Sequence, residues 1–187
     1  GRVLSRAHCT FIKPDESDGT GCFPESGVCS EIVRRGDGAA VEVNLSGREG
    51  LAGLAAYLDA KREPIEVTTL VPGAFLRMSV DVLREVAEQD LDLLHALHKY
   101  AQTVLSIRAS AIACDRLHPI QARLVRWLLK TRDRAACLEF VFTQDDMALM
   151  LGVARPSVTV NALALQDAGL ISYRRGRVRI LDGPGLD

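Results

Sequence analysis

Hydrophobic residues change their spacing along this chain, and the changes divide it into three stretches. Over residues 1–80 they come as short β-prone runs, Val28 to Val33, Ala40 to Leu45 and Ile65 to Leu70. Polar or glycine-bearing breaks separate the runs: Gly21, 24–27 (PESG), 36–38 (GDG), Ser46-Gly47 and Pro72-Gly73. Runs of that length and spacing predict a small β-sandwich or barrel. The stretch 15–21 (DESDGTG) reads as a polar loop. A short helix is expected over Val80 to Glu88, with Ser79 as its cap.

From Asp90 to Leu117 there is neither glycine nor proline, and Pro119 closes the run. A helix of 28 residues extends about 42 Å at 1.5 Å per residue. Leu94, Leu97, Ala101, Val104 and Ala111, with Arg108 among them and Leu105 and Ile112 beside them, follow spacings of three and four. That seam predicts a two-stranded coiled coil and hence a dimer axis; the alternative is a core helix packed within its own protomer.

Pro119 opens the third stretch as a further helix, with Leu124, Trp127, Leu128 and Leu129 expected inside and Arg123, Arg126 and Lys130 outside. A short strand, Glu139 to Phe142, follows. Thr143 and Asp146 have the spacing of a capping box, and Met147, Leu149, Met150 and Leu151 supply two apolar turns ended by Gly152. The next helix carries Arg155 near its start and Pro156 in its first turn, where a missing N–H costs nothing. Val158, Ala162, Leu163 and Leu165 are its expected buried stripe, and Gly169 ends it. Leu170 to Tyr173 and Val178 to Leu181 then pair across Arg175-Gly176.

Helix, glycine turn and helix form a helix-turn-helix, whose second helix enters the major groove of DNA. Arg174, Arg175, Arg177 and Arg179 make the following hairpin a wing suited to phosphates. Each feature alone has an ordinary reading, a packing unit or a solvated hairpin; it is their adjacency and order that favour DNA. Thr143 and Gln144, Arg155, Ser157, Thr159 and Val160, and Arg174, Arg175 and Arg177 are the expected DNA-contacting set.

Charge supports the division. Residues 1–118 hold 13 Lys/Arg against 17 Asp/Glu, whereas 119–187 hold 10 against 7, so an overall −1 hides an acidic part and a basic part. No apolar run approaches the roughly 18 residues of a membrane span, and no signal peptide is visible. The five cysteines lack a tight CxxC pair and fit reduced thiols in a cytoplasm. The chain opens on Gly1 without a methionine, so an upstream start is expected.

The sequence resembles the Crp/Fnr family of bacterial transcription regulators. The likeness is strongest at 116–129 (RLHPIQARLVRWLL) and from Thr143 to Leu181, and it extends to 23–28 (FPESGV) and 47–53 (GREGLAG). It implies an α+β chain: an N-terminal cyclic-nucleotide-binding-like β-roll (a double-stranded β-helix) over 1–89, a dimerisation helix over 90–118, and a winged helix-turn-helix over 119–187. The helix that usually precedes the roll in the family is not seen. Arg155 matches the arginine that reads a guanine, a contact that a guanidinium makes bidentately with O6 and N7. Pro156 stands where many members have glutamate, and Val160 replaces a second arginine, so a different half-site is expected, with Ser157, Thr159 and Val160 as further readers. The implied partners are double-stranded DNA, a second copy of the chain and RNA polymerase.

Cyclic-nucleotide binders of the family use a Gly-Glu pair and an Arg-Ser pair. The nearest equivalents are Gly53-Leu54 and Arg62-Glu63, and both changes oppose the ligand: leucine accepts no ribose hydrogen bond, and Glu63 sets a negative charge beside a phosphate. No cofactor is expected, and the effector is left open. Cys9, Cys22 and Cys29, 13 and 7 residues apart, do not match the family's cluster spacing. A haem ligand at His8-Cys9 and an oxidant-sensing Cys114 are the remaining sensor readings; small buried hydrophobes are the ordinary role for all five thiols. The four histidines form no metal-ligand pattern, and no catalytic motif appears, so an enzyme is not expected.

Overall fold

The computed structural model describes residues 1–15, 19–60 and 64–186. Arg62 and Glu63 of the expected effector pocket, and part of the 15–21 loop, lie outside the described residues. Two antiparallel sheets form the N-terminal part. One has the order β1 (Arg2–Ser5), β7 (Gly73–Ser79), β3 (Thr20–Pro24). The other has the order β2 (Thr10–Ile12), β6 (Ile65–Val71), β4 (Val28–Arg34), β5 (Ala40–Ser46). Phe11, Cys22, Cys29, Val67 and Phe75 fill the space between them, with the Phe11 and Phe75 rings 5.0 Å apart. At the β3–β4 turn Gly27 has a left-handed φ of 82°, and a Cβ there would lie 2.6 Å from the Val71 carbonyl oxygen. Only glycine fits.

The runs at 28–33, 40–45 and 65–70 are β4, β5 and β6. Strands β1, β2, β3 and β7 gave no such signal: three are short, and β3 holds both Gly21 and Pro24. Pairing with β7 stabilises β1 and β3, as pairing with β6 does β2, and no local run of residues announces that.

Helix α1 (Leu54–Tyr57) lies before β6, and α2 (Val80–Gln89) follows β7, with the Ser79 hydroxyl accepting from the Asp81 N–H. The long helix α3 runs Leu91–Leu117, and the Asp90 carboxylate caps it by accepting from the N–H groups of Asp92 and Leu93. Its expected seam faces inward. Leu97 and Val104 are only 6% and 2% exposed, packed with Leu51, Leu54, Tyr57, Val80 and Leu83, while Leu94 and Ala101 lean on the same cluster. Arg108 reaches the buried Glu31 carboxylate at 2.6 Å, and Ala111 faces β5 across a cleft. These six residues therefore turn toward the roll of their own protomer. The neighbouring stripe is the one left outside: Leu105 and Ile112 are 62% and 65% exposed. A one-residue step turns a helix by about 100°, so an apolar helix can carry two adjacent stripes, and spacing alone does not say which meets the core.

The C-terminal part comprises α4 (Ile120–Ala135), β8 (Glu139–Val141), α5 (Gln144–Leu151), α6 (Arg155–Asp167), the hairpin β9 (Ile171–Arg174) and β10 (Arg177–Ile180), and the short α7 (Gly183–Leu186). Its three strands form one sheet in the order β8-β10-β9. Leu124, Trp127, Leu128, Phe142, Met147, Val158, Leu165 and Val178 make its core. That core does not stop at the roll. Val28, Ile32, Leu45 and Leu70 belong to the same cluster, so the two parts share buried surface. Arg123, Arg126 and Lys130 are accordingly half-buried, lining the cleft between α4, α3 and β5, and are not an outer face. Among the described residues no single helix is long and apolar enough to cross a membrane.

Candidate nucleic-acid interface

Helix α5 begins with a reciprocal cap: Asp146 N–H donates to Thr143 Oγ1 at 3.1 Å, and Thr143 N–H donates to Asp146 Oδ2 at 2.8 Å. Two N–H groups that a helix start leaves open are thereby satisfied. Gly152 ends α5 at a φ of 62°, in the left-handed conformation, and the chain turns so that α5 and α6 meet at 107°. That angle lies in the range of helix-turn-helix units. Pro156 occupies the first turn of α6, and Val158, Ala162 and Leu165 anchor it inside.

The opposite face of α6 is open. Arg155 is exposed, Val160 is 67% exposed, and Leu163, expected inside, is 51% exposed. Leu163 falls one residue past the buried line through Val158, Ala162 and Leu165, so the inner stripe is narrower than its apolar content suggests. Arg155 Nη1 lies 3.5 Å from Asp145 Oδ2, both side chains being exposed. Such a pair holds little energy and leaves the guanidinium available. Thr159 and Gln144 come together: the Thr159 hydroxyl donates to Gln144 Oε1 at 2.8 Å. Ser157 is half-buried, and its carbonyl accepts from Asn161 Nδ2. Sequence reasoning passed over Asp145 and Gln144 as orienting partners of Arg155 and Thr159, which only the 107° turn brings into reach.

The hairpin turn places Arg175 and Gly176 at φ of 51° and 75°. Positive φ at both central residues matches the right-handed twist of a two-residue hairpin. Arg174 and Arg175 are exposed, while Arg177 is tied at 3.2 Å to Glu139 on β8. Arg179 is exposed on the same strand. The wing thus holds three unpaired arginines among the described residues, Arg174, Arg175 and Arg179, and one that braces β10 to β8.

Of the expected effector residues, Gly53 and Leu54 are described. Gly53 caps α1, where an added Cβ would meet the Thr20 carbonyl oxygen at 2.9 Å, and the Leu54 side chain is buried with Leu51 and Tyr57. Among the described residues no three His, Cys, Asp or Glu side chains cluster as a metal site. Cys22 and Cys29 do meet inside the roll, where hydrogen bonding between them lowers the first thiol's pKa and, with burial, raises the second's. Their separation in sequence gave no sign of that.

Residues 122–187 match the family of Crp-like helix-turn-helix domains. No curated protein sequence matches the chain. Solved structures match over its whole length. TTHA1359, a CRP/FNR-family transcriptional regulator from Thermus thermophilus, is 18% identical, with 100% of this chain and 96% of that one covered at a TM-score of 0.81. TTHB099, a CRP-family regulator from the same organism, is 18% identical, with 100% and 94% covered at 0.82. FixK2 from Bradyrhizobium japonicum is 13% identical, with 100% and 94% covered at 0.83. Residues 122–187 thus match the Crp-like helix-turn-helix domain, and the fold of the whole chain is similar to that of solved CRP/FNR transcriptional regulators.

Proposed function

We propose that this protein is a homodimeric transcription regulator that reads a two-fold-symmetric DNA site. The observation that carries the reading is the exposed edge formed by α6 and the wing. Arg155 stands at the start of a helix held at 107° to its partner, and Arg174 and Arg175 project from the adjoining hairpin. Arg155 reads a guanine; Ser157, Thr159 and Val160 add contacts to neighbouring bases; Arg174 and Arg175 contact phosphates. Arg177 assists by bracing the wing, and Thr143 and Gln144 at the start of α5 face the backbone. Residues 1–89 act as the sensor, 90–118 as the dimer helix and 119–187 as the DNA reader.

The dimer axis in this reading runs along the outer stripe of α3. His98, Gln102, Leu105, Ala109, Ile112 and Arg116 alternate at spacings of four and three, and Leu105 and Ile112 are large, apolar and exposed. Two copies joined there would present their recognition helices to successive major grooves, about 34 Å apart. Control by cyclic AMP is not part of the proposal, because Leu54 is committed to the core. A regulator of this kind works in the cytoplasm with RNA polymerase as its further partner. The test is selection of bound duplexes from a random-sequence pool by the purified protein. Enrichment of a palindrome whose half-sites share a G·C pair lost with Arg155→Ala supports the reading; an asymmetric motif, or none, overturns it.

A further inference from the structure

The cleft between α3, α4 and β5 is walled by Ile107, Ala111 and Cys114 on one side and by Trp127 and Lys130 on another, with Glu42 and Asn44 from β5. Four cations line it. Arg123 is paired with Asp115 at 2.9 Å and Arg134 with Glu49 at 2.8 Å. Arg126 and Lys130 form no ion pair among the described residues, although Arg126 donates to the Ser110 carbonyl at 3.4 Å. Burial, and then the positive charges of Arg126 and Arg134, lower the pKa of Lys130. Glu42 acts the other way on Lys130, but its carboxyl, half-buried and hydrogen-bonded by Ser30 and Trp127, is itself pushed by burial up to about 8, which weakens that counter-charge. Partly desolvated cations that outnumber the carboxylates lining the same cleft, Glu42 and Asp115, call for an anion.

Asn44 adds a second and different demand. It is 6% exposed, and its Nδ2 donates to Glu31 Oε1 at 3.1 Å and to Ser46 Oγ at 3.3 Å. The neighbouring carboxylate fixes which end of the amide is which. Oδ1 is left buried with no donor among the described residues. An enclosed acceptor of this kind needs an O–H or N–H.

We propose that this cleft binds a hydrogenphosphate group, whose anionic oxygens meet Lys130 and Arg126 and whose P–O–H donates to Asn44. The cavity measures about 70 Å³. One water needs roughly 10–15 Å³ on that scale, so a tetrahedral oxyanion fits and a whole nucleotide does not. The three walls belong to the roll, the long helix and the winged helix. An occupant therefore holds α4 against β5 and α3, which together set where α6 points. That regulatory consequence rests on the DNA reading; the binding site itself does not.

Trp127 is the chain's single tryptophan and lines the cleft, so its emission reports on the site directly. The full chain is titrated at pH 7 and constant ionic strength with inorganic phosphate, and in parallel with sulfate, which has the same shape but no proton to donate. Phosphate should give a saturable change with a half-saturation concentration at least tenfold below that of sulfate. Lys130→Met should raise the phosphate value tenfold or more, Lys130→Arg should restore it to within threefold, and Arg126→Gln should raise it as a second, rim-placed variant. Thermal melts confirm that each variant folds. Glycerol 3-phosphate separates the two sources of the group: a lower half-saturation than phosphate assigns a phosphomonoester, a higher one the free ion. No saturation, equal values for phosphate and sulfate, or a Lys130→Met response like the parent's would each overturn the assignment. Because no DNA is present, the site and the DNA reading fail separately.

Discussion

On the proposed reading, replacing Arg155 by alanine removes one bidentate base contact, so specific affinity should fall by roughly 1–3 kcal/mol while random DNA is bound nearly as before. Arg175→Ala should weaken binding to every sequence alike and reduce the salt slope by about one. Equilibrium binding to specific and random duplexes at several salt concentrations separates the two, and equal losses on both duplexes for Arg155→Ala would remove its base-reading role. Glu42 carries a pH signature. Its carboxyl is held at about 8 in the folded chain, against about 4.3 for an ordinary glutamate. Between those values the folded state keeps a proton that the unfolded chain has lost. Stability from this group is therefore full below about pH 4 and falls, by no more than about 1.4 kcal/mol per pH unit, as pH rises through 8. Glu42→Gln should flatten that slope in denaturant titrations at pH 5, 6.5 and 8; an unchanged slope would mean another group sets it. Sequence reasoning placed Arg155 correctly at the head of its helix. It had no means of finding Glu42 under Trp127, because the two are 85 residues apart and meet only in the folded chain.

Helix α3 shows how an element can be legible in extent while its orientation is not. The absence of glycine and proline and the stop at Pro119 predicted its length within a residue at its start, yet the seam assigned to a partner packs on the roll. The two faces have different mutational outcomes. Leu97→Ala should cost about 2–5 kcal/mol of folding stability, since it hollows a packed cluster. Leu105→Glu with Ile112→Glu should instead yield a monomer by sedimentation with an unchanged far-UV spectrum. A double variant that stays dimeric would move the axis elsewhere. Arg108→Met leaves Glu31 charged and nearly enclosed, and should destabilise by about 3–5 kcal/mol, partly recovered by adding Glu31→Gln. Helix α6 repeats the lesson in small: Leu163 is apolar and at helical spacing, yet it lies outside, on the exposed face of that helix.

Across the whole molecule, the shared cluster of Val28, Ile32, Leu45 and Leu70 with Trp127, Met147 and Met150 makes the roll and the winged helix one thermodynamic unit. Calorimetry should show a single transition, which Met150→Ala lowers as a whole; two separated peaks would mean that the shared surface contributes little. Local chemistry was enough to announce the elements of the helix-turn-helix and its wing. Thr143 with Asp146, Gly152, Pro156 and Arg175-Gly176 are cap, stop, first turn and hairpin, and each acts through its own backbone or a neighbour a few residues away. The strands β1, β2, β3 and β7, the inward face of α3, the meeting of Cys22 with Cys29 and the cationic cleft against β5 have no such local cause. They depend on contacts between residues tens of positions apart, whose energy exists only once the chain has closed on itself. A periodic pattern tells that a face is apolar; which surface buries it is decided by the competition among all such faces for one another.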